Sequence, residues 1–191
     1  MFYGDGLLCP PEGYGEGIVE LLVLRHPDAA FRSFHHGEES LALDAALRGA
    51  ASLIGKAPDF VFLGLGNVDM LRGVAPAEAL ASLRALIQVV LLKTQARVAV
   101  ANVCGAFLPP EARAGAAGYN AGLMGLPGES GDRVRVVNID DPVNAFLEAH
   151  RRGGGEKRSL HVRPLCPTSM GRVFLSNTVF GLLSLEDIFT V

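Results

Sequence analysis

Short apolar runs alternate with longer amphipathic stretches along the whole chain. Met1-Phe2-Tyr3 is apolar and is broken by Gly4-Asp5-Gly6. Tyr14–Arg25 carries Ile18, Leu21, Leu22 and Val23 with Glu16 and Glu20 between them, a helical stripe. His26-Pro27-Asp28 ends it, because the residue before proline disfavours α geometry. Ala29–Phe34 reads as a second strand and Glu38–Ile54 as a helix. Asp59–Leu65 is almost wholly apolar, as a strand buried on both faces should be. Gly66–Gly73 reads as a loop, and Pro76 opens a long helix running to Leu92. Arg97–Val103 is another buried strand, followed by a helical piece from Pro109-Pro110 through Leu123. Gly125–Asp132 is glycine-rich and reads as loose, and Val134–Ile139 is the fifth strand. A helix over Pro142–Arg151 precedes a flexible Gly153-Gly154-Gly155 break, and Thr168 is placed to cap a final helix, Ser169–Leu183.

Five strands alternating with helices predict an α/β domain, a three-layer sandwich with helices on both faces of a parallel sheet. No internal repeat or second core is visible, so residues 1–191 read as one domain. Composition narrows the classes of function. Of 191 residues 49% are hydrophobic, which favours a packed globule over disorder. The net charge of -3, without a basic cluster interleaved with aromatics, gives nucleic acid no footprint. Cys9, Cys104 and Cys166 form an odd set without metal-type spacing and read as reduced core thiols. No signal peptide precedes the first strand, and the most apolar helix is interrupted by Ser82, Arg84 and Gln88, so no membrane span is expected. A cytoplasmic protein without a cofactor or metal is the expectation.

Ligands of open α/β sheets bind beyond the carboxyl ends of the strands, which directs attention to Asp5 and Gly6. Gly64-Leu65-Gly66-Asn67-Val68-Asp69 also follows a strand, but it lacks the third glycine of a dinucleotide loop and follows the third strand rather than the first. The Gly13-Gly15-Gly17 run has the wrong spacing for such a loop.

Phe2-Tyr3-Gly4-Asp5-Gly6-Leu7 resembles the first block of the SGNH (GDSL-type) esterases and acylhydrolases, which reads Gly-Asp-Ser-Leu and carries the nucleophilic serine. Here Gly6 stands at the serine position. His35-His36-Gly37-Glu38 resembles the second block, whose glycine N–H joins the oxyanion hole. Leu65-Gly66-Asn67-Val68-Asp69-Met70-Leu71-Arg72-Gly73 resembles the third, most of all in the thioesterase/lysophospholipase branch, with Asn67 one residue early for the oxyanion asparagine. The last block pairs an aspartate with a histidine three residues on. His161 matches the histidine, Arg158 stands at the aspartate position, and Pro164 is displaced. The resemblance covers residues 2 to about 180 and implies strand order 2-1-3-4-5. It also implies that Asp5, Gly6, Gly37, Asn67 and His161 line one cleft.

The same resemblance sets the limits on activity. Losing the nucleophile from such a triad costs about 10⁶ in turnover, leaving roughly 10³–10⁴ over water from the oxyanion hole and binding. Arg158 cannot accept the hydrogen bond that orients a catalytic histidine. Three readings follow. The chain is a non-hydrolytic binding or scaffold descendant of an acyl esterase, with a small ester-like ligand. Alternatively it is an active esterase or thioesterase with a relocated nucleophile such as Cys9 or Cys166. Or it is an ordinary GDSL esterase in which glycine replaced a natural serine at position 6. The apolar tail Phe180–Val191 is either covered by another chain, a protein partner or a second copy in a homo-oligomer, or folds back on its own sheet.

Overall fold

The computed structural model describes residues 1–8, 13–152, 160–163 and 166–183. β1 (Phe2–Gly4) leads to α1 (Gly15–Arg25), β2 (His35–Gly37), α2 (Leu43–Arg48), α3 (Ala50–Ile54) and β3 (Phe60–Gly64). α4 (Asn67–Leu71), α5 (Pro76–Lys93), β4 (Arg97–Ala101), a 3-10 turn (Gly105–Phe107), α6 (Pro110–Leu123), α7 (Leu126–Ser130) and β5 (Val134–Val137) follow. α8 (Asp140–Arg152), a small antiparallel pair of β6 (His161–Arg163) and β7 (Cys166–Pro167), and α9 (Ser169–Leu182) complete it. β1 to β5 form one parallel sheet in the order 2-1-3-4-5, as expected.

Strand alternation divides the interior into two cores. Val61, Leu63, Val98 and Val100 face one side, against Leu43 and Leu53 of α2 and α3, Leu83 and Ile87 of α5, and Tyr119 of α6. Phe2, Phe62, Ala99 and Ala101 face the other, against Ile18 of α1, Val143 of α8, and Leu175 and Val179 of α9. Both faces are covered, which is why β3 and, after Arg97, β4 are apolar. No helix among the described residues is long and apolar enough to cross a membrane.

Four local expectations are corrected. The second strand is His35–Gly37, not Ala29–Phe34. An edge strand needs no continuous apolar run, and here the His35 ring stacks on Phe2 (4.9 Å between centroids) and His36 on Tyr3 (5.2 Å). The expected helix Glu38–Ile54 starts only at Leu43 and is interrupted at Gly49. The Tyr3 hydroxyl approaches that break and donates to the Ala46 carbonyl (2.8 Å), and a Cβ at Gly49 would lie 3.0 Å from its oxygen. Within Gly66–Gly73, Asn67–Leu71 is helical rather than loop. Within the supposedly loose Gly125–Asp132, Leu126–Ser130 is also helical: Leu126 is buried, and Arg84 grips Glu129 through two hydrogen bonds (2.7 and 3.0 Å).

Thr168 caps α9, its hydroxyl oxygen accepting from the Gly171 N–H (3.0 Å). The Gly153-Gly154-Gly155 break lies outside the described residues. So does most of the tail from Phe180. Of its described part, Phe180 packs against the second core and Leu183 is buried.

Glycine tolerance should differ sharply between helices. A Cβ at Gly17 would strike the Ser176 hydroxyl, which donates to the Tyr14 carbonyl and joins α9 to the start of α1. Gly128 in α7 faces open space. Gly17→Ala is expected to lower the unfolding free energy by about 1–3 kcal/mol, and Gly128→Ala to raise it by up to about 1 kcal/mol, both read from urea unfolding midpoints.

Candidate functional site

Three glycines end the three strands that the first sequence blocks pointed to. Gly4 of β1 lies in register with Gly37 of β2 on one side and Gly64 of β3 on the other. A Cβ on Gly4 would collide with the Gly64 carbonyl, and one on either Gly4 or Gly64 would come within 2.9 Å of a Leu8 methyl. Glycine is therefore needed here for close approach, and Leu8 closes over the resulting trough.

The chain leaves β1 at Asp5, whose N–H donates to the Gly64 carbonyl (3.0 Å). The Asp5 carboxyl is completely buried. One oxygen accepts from the Leu7 N–H (3.1 Å), and the other accepts from the Asn67 side-chain amide (3.0 Å). Burial pushes its pKa up to about 7, against the two hydrogen bonds, which lower it, and the nearby Asp69 raises it further. Asn67 opens α4, preceded by Gly66 in a left-handed conformation (φ +110°), where a side chain would run into the Tyr119 ring. The Asn67 side-chain oxygen is buried and has no hydrogen-bond partner.

Asp69, on the same short helix, reaches across to α2. Its carboxylate accepts from the Leu43 N–H (3.1 and 3.3 Å) and so satisfies one of the free donors that begin that helix. Burial again raises its pKa, opposed by that bond. The Tyr119 hydroxyl donates to the Leu65 carbonyl (3.4 Å) and is held far from ionisation by burial and by Asp69 and Asp5.

Gly6 follows Asp5 at the tip of the turn. A Cβ there would lie 3.1 Å from Glu39 Cα and 3.2 Å from Glu39 Cγ. The loop between β2 and α2 thus brings Glu39 directly against the position of the missing side chain. Gly37, two residues earlier in sequence, ends β2 at the same sheet edge. Asp5, Gly6, Gly37 and Asn67 are gathered at the carboxyl ends of β1 to β3.

His161 begins β6 and pairs with Pro167. The preceding residue, Leu160, is buried in the same core cluster as Leu7 and Leu8, and its carbonyl accepts from the Thr168 N–H (2.9 Å). The His161 side chain, Arg158, Cys9 and the Cys166 side chain fall outside the described part of the molecule. Cys104 is buried and free, and burial pushes its thiol up to about 12, which leaves it without thiolate character near neutrality. Among the described residues, no three His, Cys, Asp or Glu side chains converge as a metal site requires.

Sequence reasoning missed the roles of Glu39 and Tyr119, and of Asp69 as a remote cap. Asp69 stood inside the third block. Glu39 looked like any solvent-facing acid, and its position is set only by the path of the loop.

Neither a protein-family model nor a curated protein sequence matches the chain. Solved structures do. A member of the lipolytic protein G-D-S-L family from Veillonella parvula DSM 2008 superposes with a TM-score of 0.72 at 16% identity, covering 95% of each chain. A catalytic mutant of Axe2, an acetylxylan esterase from Geobacillus stearothermophilus, gives a TM-score of 0.79 at 19% identity over 100% of this chain and 95% of its own. A family 3 carbohydrate esterase from Clostridium thermocellum gives 0.69 at 17% identity over 95% and 92%. The fold is that of the SGNH hydrolases.

The buried Asp5 carboxyl makes stability fall as pH rises. Its folded pKa, about 7, lies above the ordinary value of 3.8, so the folded state holds a proton that the unfolded state releases. Stability from this group is complete below about pH 4 and is lost as pH rises through about 7. Asp5→Asn is expected to flatten this slope and to add roughly 2–4 kcal/mol above pH 7. The amide it introduces can donate to the unpartnered Asn67 oxygen once that side chain turns over. Urea titrations of both proteins between pH 5 and pH 8 check it, the difference between them isolating Asp5.

Proposed function

We propose that this protein is a non-hydrolytic descendant of an SGNH esterase, a binding or scaffold module that keeps the fold and a small ester-like ligand site but not the acyl-transfer chemistry. One observation carries the reading: Glu39 lies against the nucleophile position, where Gly6 supplies no hydroxyl or thiol. Acyl transfer by this family's route needs an oxygen or sulfur at that tip, within hydrogen-bond reach of a base.

Two further features support it. The Asn67 amide, which the family resemblance would assign to a substrate oxyanion, donates to the Asp5 carboxyl and is almost wholly buried. An oxyanion donor must point at the position where charge develops. In the sequence, Arg158 replaces the acid that would orient His161, and a cation close to the imidazole disfavours the imidazolium formed during catalysis.

The experiment assays p-nitrophenyl acetate and an acetyl thioester with the unaltered chain, Gly6→Ser, Gly6→Ser/Arg158→Asp, and that double variant with Glu39→Ala added. No turnover above buffer is expected for the unaltered chain. Gly6→Ser alone is expected to stay inactive because Glu39 crowds the new side chain. The triple variant is expected to exceed the single one by about 10² or more. Turnover by the unaltered chain overturns the reading, and its loss in Cys9→Ala or Cys166→Ala identifies a relocated thiol nucleophile. Rescue by Gly6→Ser alone also overturns it, and identifies an ordinary esterase lacking its serine.

A further inference from the structure

The opposite, amino-terminal edge of the sheet holds a cavity of about 420 Å³, within the size range of small-molecule sites. Ile18, Leu22, Phe31, Phe60 and Leu183 give it apolar walls. Its rim is formed by the segment leading into β2 and by the turn between α3 and β3. These bring two cations to one aromatic ring: the Arg32 guanidinium carbon lies 5.2 Å from the centre of the Phe34 ring, and Lys56 Nζ lies 5.1 Å from it. Both side chains line the cavity and are exposed, and among the described residues neither has a carboxylate partner. Asp59 is the one acid on the lining.

Two like charges gathered on one ring repel each other, and the ring face attracts each only weakly. An anion placed between them relieves that repulsion. The turn that presents Lys56 is itself unusual. Ala57 has φ +44°, the left-handed region that favours glycine, and it is the only non-glycine residue with positive φ among those described. Its N–H is tied to the Ile54 carbonyl (2.9 Å), so the conformation is built in. Backbone held in such a region tends to mark binding positions.

We infer that this cavity is a binding site for a single-chain amphipathic anion, a carboxylate or phosphate head seated at Arg32 and Lys56 with its alkyl chain between α1 and the amino ends of β1 and β3. The site lies at the far edge of the sheet from Gly6 and does not depend on the function proposed for that cleft.

The chain contains no tryptophan, so Phe31→Trp introduces a single reporter on the cavity wall. Decanoate and decyl phosphate, each below its micelle concentration, are expected to shift its emission saturably. Decanol is expected to bind at least about tenfold more weakly, and Arg32→Ala/Lys56→Ala to weaken decanoate by about tenfold. Ala30→Trp, which fills the rim, is expected to abolish binding of decanoate measured by calorimetry. Equal binding of decanol, or binding indifferent to the Arg32/Lys56 pair, overturns the inference. So does capture of the protein by phosphatidic-acid vesicles without binding of free decyl phosphate, which assigns the two cations to a membrane surface. Binding seen only after truncation beyond Leu183 also overturns it, since the cavity is then not open to a ligand in the whole chain.

Discussion

A carboxyl group with no exposed surface governs how the first strand ends. Asp5 is completely buried, and a buried acid is tolerated only where donors meet it. The Leu7 N–H and the Asn67 amide supply them, one from the turn that follows β1 and one from α4. The carboxyl end of β1 is thereby fastened to the helix that follows β3. The rest of the corner follows from that attachment. Leu8 drops over the paired glycines Gly4 and Gly64, and the Tyr14 and Gly15 N–H groups bond back to the Leu7 and Leu8 carbonyls to start α1. α4 has only five residues, yet it both partners Asp5 and, through Asp69, begins α2. A helix that short gains little from its own hydrogen bonds, and tertiary contacts hold it.

The two edges of the sheet are built oppositely. At the carboxyl edge the polar groups are turned on one another: Asp5 on Asn67, Asp69 on Leu43, Tyr119 on Leu65. At the amino edge Arg32 and Lys56 meet an aromatic ring and, among the described residues, have no carboxylate partner. Apart from the Asn67 oxygen, the carboxyl-edge groups named here are already hydrogen-bonded inside the protein and have little left to offer a ligand, whereas the two cations retain their capacity for it.

Most of the sheet was legible in the sequence because strands covered on both faces must be apolar. Phe60–Gly64 and Arg97–Ala101 are read directly from composition. β2 was not, because it is a three-residue edge strand whose side chains beside Phe2 and Tyr3 are two imidazole rings, and their stacking leaves no periodic apolar trace. The start of α2 was hidden for a similar reason. Its cap is Asp69, 26 residues away, so Glu38–Ala42 look helical by pattern but form the loop that carries Glu39 to Gly6. Of the candidate site, Asp5, Gly6, Gly37 and Asn67 could be named from local blocks, since each lies at or just beyond a strand end. The bond between Asp5 and Asn67 and the crowding by Glu39 are products of the assembled fold.

The order of the strands has a consequence for synthesis. β1 is made before both β2 and β3, yet it lies between them and pairs with both. Its partner Phe62 and the amide that receives Asp5 at Asn67 emerge only about sixty residues later. Until then the growing chain carries an aromatic strand with an open side and a hydrated carboxylate, and the sheet cannot close around it. The sheet closes around a strand made before both of its neighbours, so a ribosome pausing before Asn67 presents that strand to solvent and chaperones rather than a partly built domain.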